Sequence, residues 1–262
     1  MELAELLHAA LDFERTWVAT GTEVIPTPYG SIHRARRYPL VFMGNLAWVR
    51  RLPRGGVEEV LADLDGAFEG TEVAHRYLLF NDAQEAYSQQ EGVARQGFAP
   101  EASIVMARLG LPVCITNPEV RLRRVGEEAP EEEFRRIAMA IAAESGWGSE
   151  ESRQVYELER ERAAAVGMES FVAYLGDEPA GTIALWSRGP FALIESVATL
   201  PIHRMKGVGR TMLFLAGKQA VEEGKEWTLL FTPLQGTPEL MYKTLGFQPV
   251  GEIRGFLKPR TV

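Results

Sequence analysis

With 262 residues, 46% of them hydrophobic and 24% charged, the chain has the length of two ordinary domains and a composition that buries real cores, which excludes a disordered chain. Its 28 Lys and Arg stand against 36 Asp and Glu, a formal net charge of -8, so a polyphosphate backbone is repelled and nucleic acid is not an expected partner. Cys114 is the only cysteine, and His8, His33, His75 and His203 are scattered, so neither a disulfide framework nor a metal site is expected. The N-terminal MELAELLHAALDFERTW is acidic and amphipathic, and no run of about 18 apolar residues occurs, so no membrane segment and a cytoplasmic location are expected.

The second half gives the clearer elements. Pro112, Asn117 and Pro118 break regular structure and place a linker near 110–118. Residues 120–125 alternate as a short strand, and helices are predicted over 131–145 and 149–165, the first opening on Glu131, Glu132 and Glu133 where the helix dipole favours anions. Strands 168–175 and 180–187 flank Gly176-Asp177-Glu178-Pro179, a hairpin connection by its turn chemistry. A strand 191–200 ends at Pro201, and a helix 208–223, a strand 227–232, a short helix 238–245 and a last strand 248–256 follow. Thr237-Pro238 reads as the N-cap and first residue of the short helix.

The segment VATLPIHRMKGVGRTML, residues 197–213, carries the chemistry. A strand passes through a loop holding Arg204, Lys206, Gly207 and Gly209 into a helix whose first acidic residues are Glu222 and Glu223 at its far end. A helix N-terminus carries about half a positive charge, and leaving it uncompensated beside added cations suits an external anion such as a pyrophosphate. A dinucleotide-binding GxGxxG would need glycine where Met212 stands, and a Walker loop would need Lys-Ser/Thr where Arg210 and Thr211 stand.

Arg204-Met205-Lys206-Gly207-Val208-Gly209 resembles the (R/Q)xxGx(G/A) pyrophosphate loop of the GNAT superfamily of N-acetyltransferases, and Met241-Tyr242-Lys243-Thr244-Leu245-Gly246-Phe247 resembles that family's closing FYxxLGF signature. The resemblance implies an α/β fold with a mixed sheet, mostly antiparallel and twisted, with a splayed central pair and flanking helices. It implies acetyl-CoA as co-substrate and an amine-bearing acceptor, with no metal. Backbone groups of Val197, Ala198 and Thr199 would hold the thioester and pantetheine arm. The main chain of Arg204, Met205, Lys206, Gly207, Val208, Gly209 and Arg210 would hold the pyrophosphate, with cationic side chains adding screened attraction. Gln235 stands where many relatives have an Asn that reaches the pantetheine, a departure from the pattern. Tyr242 matches the tyrosine that relatives use as general acid, the plain alternative being a ring packed on the core. Glu195 is the candidate base, placed by alternation on the same strand face as Val197, the alternative being a solvated strand carboxylate. A backbone N–H near Val197 would serve the oxyanion. Relatives border the acceptor pocket with the loop between the first two helices, here Glu144, Ser145, Gly146 and Trp147, the alternative for Trp147 being a core anchor. A sensor of the same fold that binds acyl-CoA without transfer is the reading from another class.

The first half echoes the second. Gly97-Phe98 and Gly246-Phe247 lie 149 apart (247 minus 98), Leu78-Leu79-Phe80 and Leu229-Leu230-Phe231 lie 151 apart (229 minus 78), and Pro53 and Pro201 lie 148 apart (201 minus 53). These offsets predict a duplicated domain, 1–116 and 119–262; the resemblance then implies two tandem GNAT-like domains, similar in plan to mycothiol synthase, in a monomer or homodimer. In the first copy Glu58 and Glu59 follow a shortened loop, compensate the helix N-terminus internally and repel pyrophosphate, so that domain is not expected to bind acetyl-CoA.

Overall fold

The computed structural model describes residues 1–234 and 236–259. It divides into two compact units, each assembled from two stretches of chain: unit 1 is Met1–Ala10 with Val105–Gly251, and unit 2 is Leu11–Ile104 with Glu252–Val262. In chain order the elements are α1 (Leu3–Ala19), β1 (Glu23–Thr27), β2 (Gly30–Arg34), β3 (Asn45–Val49), α2 (Gly56–Phe68), β4 (Arg76–Phe80), α3 (Ala83–Ala94), β5 (Ala99–Leu109), β6 (Val120–Arg124), α4 (Glu131–Glu144), α5 (Ser149–Val166), β7 (Glu169–Leu175), β8 (Glu178–Arg188), β9 (Phe191–Thr199), α6 (Val208–Glu222), β10 (Trp227–Pro233), α7 (Thr237–Thr244) and β11 (Gln248–Lys258). Among the described residues no helix is long and apolar enough to cross a membrane.

In unit 2, β1, β2 and β3 form an antiparallel meander, and β3 then pairs parallel with β4 through the α2 crossover. The final stretch of β11 closes this unit, antiparallel to β4 with Arg254 opposite Phe80 and Lys258 opposite Arg76. Val57, Val60, Leu64 and Phe68 recur at helical spacing along α2 and bury against Ala47 and Val49 of β3 and Leu78 and Phe80 of β4. Phe256 joins the same core and meets Phe80 edge-on at 5.8 Å.

In unit 1, β6, β7, β8 and β9 run antiparallel in sequence order, and β9 pairs parallel with β10. The hairpin between β7 and β8 is tighter than its sequence suggested: Leu175 pairs directly with Glu178, leaving Gly176-Asp177 as a two-residue turn with Gly176 at φ +62°. Phe134 and Ile137 of α4 bury against Val172 and Tyr174 of β7, while Val208, Met212, Ala216 and Ala220 line the buried side of α6. The 110–118 segment expected as a linker lies within unit 1, where Pro112 presses so closely on α6 that a Cβ at Gly217 would sit 2.6 Å from its ring.

Candidate active site

The site is built on the end of β9. Its parallel register with β10 runs from Phe191↔Trp227 to Ile194↔Leu230 and stops there, although β9 continues to Thr199 and β10 to Pro233. On its other side β9 stays paired with β8 through Gly181↔Thr199, and Leu200 N–H donates to Ala180 O at 2.9 Å. Ladder groups that point from this stretch toward β10 are therefore left for another partner. Thr232, on β10 beyond the split, is 3% exposed, and its hydroxyl has no partner among the described residues. Such an orphaned donor fits a strand-like polar arm lying in the gap.

A β-bulge marks the same point. Ala184 pairs with Glu195 and Thr182 with Ala198, so one residue on β8 faces two on β9, and Ser196 takes φ +54°. Thr182 Oγ1 donates to Ser196 O at 2.9 Å and holds the irregular backbone. This corrects the alternation argument: Glu195 shares its sheet face with Ala198, because the extra residue turns Val197 over. Gly181 opposite the bulge has no alternative, since a Cβ there would meet Ala198 O at 2.4 Å and Met212 Cε at 3.2 Å.

Beyond β9 a 3₁₀ turn, Pro201–His203, delivers the chain to the loop before α6. Met205 at φ +62° and Gly207 at φ +79° curl that loop. Gly207 is the N-cap without a side-chain cap bond, and the first turn holds no acid. Thr211 N–H donates to Gly207 O at 3.0 Å, but among the described residues no amide from Met205 through Arg210 reaches a backbone acceptor. A run of amides left this way at a positive helix end fits a pyrophosphate. Arg204 departs from its expected part: its Nε donates to Thr199 O at 3.1 Å, and its guanidinium grips Glu144 at 2.6 and 2.5 Å, holding that carboxyl below its usual range. Its charge therefore faces the end of α4, and its own N–H donates to Pro201 O at 3.2 Å, so neither its side chain nor its amide is turned to the loop.

The predicted segments converge at Gly209, where a Cβ would lie 3.6 Å from Thr199 Oγ1 and 3.7 Å from Met241 Sδ. Next to Met241, Tyr242 is 5% exposed and packs edge-on to Phe247 at 6.0 Å. Burial first, and then the negative charge of Glu195, push its phenol up to about 12, which ties these two side chains to one neighbourhood. Helix α7 starts a residue earlier than the sequence suggested, with Gly236 at the N-cap and Thr237 inside the helix. Gln235 lies outside the described residues. Trp147, between α4 and α5, is 38% exposed and so not a core anchor.

Unit 2 differs at each of these points. β3 pairs regularly with β2 along its whole length, and Asn81 N–H donates to Val49 O at 2.8 Å, so β3 and β4 stay together to the end of β3. At the start of α2, Gly56 takes φ +72° much as Gly207 does before α6, but here Glu59 Oε2 accepts from Gly55 N–H at 3.0 Å and Glu85 Oε1 from Leu52 N–H at 3.0 Å.

A parallel strand pair that parts beside an uncapped, acid-free helix N-terminus, with a tyrosine on the following helix, defines the GNAT fold in unit 1. Residues 130–247 match the model of the acetyltransferase (GNAT) family, and the chain carries a GNAT acetyltransferase domain. None of the curated proteins matches the sequence. Among solved structures the fold is similar to a GCN5-related N-acetyltransferase from Kribbella flavida (17% identity, 97% of this chain and 95% of that one, TM-score 0.65). It is also similar to a functionally unknown conserved protein from Staphylococcus epidermidis (14% identity, 92% and 95%, TM-score 0.72) and to a tandem GNAT protein from the clavulanic acid biosynthesis pathway (15% identity, 92% and 84%, TM-score 0.55).

Proposed function

We propose that unit 1 transfers the acetyl group of acetyl-CoA directly to a primary amine, and that unit 2 is a degenerate copy that binds no CoA. The observation that carries this reading is the pairing, at one end of β9, of a gap in the sheet with a row of loop amides lacking backbone acceptors. Acetyl-CoA, when bound, supplies an activated acyl carbon and a thiolate leaving group. The backbone of Val197 to Thr199 orients the arm, the amides of Met205 to Arg210 hold the diphosphate, and a backbone N–H near Val197 stabilises the oxyanion. Glu195 takes the proton of the attacking amine through water, and Tyr242 delivers a proton to the sulfur. The copy reading is supported by the shared order β-β-β-α-β-α-β, which runs β1 to β5 in one case and β7 to β11 in the other.

Calorimetry is expected to give one CoA per chain. Two sites would reject the degenerate copy, and binding without CoA release on a broad amine panel would mean a sensor. Glu195→Gln is expected to lower kcat at neutral pH by about a hundredfold, with the residual rate rising with pH as the amine loses its own proton. An unchanged pH–rate profile in that variant would remove Glu195 from the base role.

A further inference from the structure

The segment before β6 reaches the loop in front of α6 at one point and the first turn of α6 at two. Asn117 Nδ2 donates to Lys206 O at 2.9 Å, Asn117 N–H donates to Thr211 Oγ1 at 2.8 Å, and Cys114 Sγ donates to Arg210 O at 3.7 Å. Asn117 is itself held by Glu119 N–H, which donates to its Oδ1 at 2.9 Å, and a Cβ on Gly207 would lie 3.5 Å from its own Cβ. It lies outside residues 130–247, the stretch that the family model matches.

The bond to Lys206 O has a consequence for the next amide. A peptide unit is planar and trans, so its C=O and N–H point in opposite directions. Drawing the Lys206 carbonyl toward Asn117 turns the Gly207 N–H the other way. Were this peptide to flip, the carbonyl would present a negative dipole where an anion is to bind. Gly207 at φ +79° tolerates both orientations better than any other residue, so its own conformation does not settle the choice. A contact from outside the loop is needed to fix it.

We propose that Asn117 is a positioning residue for coenzyme A: through the Lys206 carbonyl it orients the Lys206–Gly207 peptide so that the loop presents donors to the diphosphate. The inference rests on the acetyltransferase reading above. It assigns to the segment ahead of the family-matched region a part in cofactor affinity that the loop residues do not supply alone.

The test compares wild-type protein with Asn117→Ala and Asn117→Asp. CoA binding is measured by calorimetry, and steady-state kinetics are run with acetyl-CoA and with acetyl-pantetheine, which lacks the diphosphate. Asn117→Ala is expected to raise both the Kd for CoA and the KM for acetyl-CoA about tenfold, the scale of one lost hydrogen bond, with kcat and the activity on acetyl-pantetheine unchanged. Asp keeps the acceptor for Glu119 N–H and the backbone bond to Thr211 but lacks the donor to Lys206. Asn117→Asp is therefore expected to keep the wild-type Tm and still bind CoA weakly, including at high salt where its added charge is screened. CoA affinity within about twofold of wild type in Asn117→Ala, or a parallel loss on acetyl-pantetheine, overturns the proposal. If the wild-type protein takes no CoA at all, the acetyltransferase reading fails first, a result distinct from either.

Discussion

Tyr242→Phe is expected to lower kcat by about a hundredfold or more, while the KM for acetyl-CoA stays within about twofold. The substitution keeps the ring that packs edge-on to Phe247 and removes only the hydroxyl, so fold and cofactor binding should survive. Burial and the charge of Glu195 raise the phenol to about 12, so the proton-bearing form is the one present below that pH and is lost only above it. The wild-type rate should then show no alkaline decline from this group up to pH about 10, where some 99% of a phenol of pKa about 12 is still protonated. A Tyr242→Phe enzyme that turns over at the wild-type rate across pH would return Tyr242 to a packing role.

The second large effect concerns stability. Phe256 is 2% exposed in the core of unit 2, on the strand that pairs with β4, although it stands near the C-terminus. Phe256→Ala is expected to destabilise unit 2 by about 3–5 kcal/mol, the range for a buried aromatic truncated in a packed core. Deletion after Gly251 removes the β4-pairing residues of β11 and should abolish the hydrogen-exchange protection of those amides in 76–80 that face β11 rather than β3. If those amides stay protected in the truncated chain, the strand does not close unit 2 in solution.

Local signals in the second half were legible because each rested on neighbouring residues. Gly176-Asp177 made a turn, Gly207 and Gly209 marked the loop, and acid-free spacing from Val208 onward identified the uncompensated helix end. The carboxylates of the first half were also readable, since Glu59 takes up Gly55 N–H as its position near the helix start suggested. What escaped depends on contacts between distant parts of the chain. The bulge sits at Ser196 with no glycine or proline to announce it; the nearest sign is Gly181, on the opposing strand, whose need for a bare Cα emerges only once Ala198 lies against it. The Arg204–Glu144 pair joins residues 60 apart, beyond any helical or strand period. Asn117 and Pro118 read as a break in structure, which is true of their backbone and silent about the carbonyl that Asn117 grips. The pairing of β11 with β4 likewise joins the chain's last strand to a segment far earlier in sequence, and no repeat offset records such an arrangement.

The irregularity at Ser196 bears on how a site of this kind arises and is lost. Counting along β9, one inserted position separates a ribbon that would keep its alternation from one whose final residues are rotated out of step. A lineage could therefore change which way these final residues face by a single codon gained or dropped. Point-substitution scans would never sample that change, and a library of one-residue deletions along the strand is the direct way to reach it.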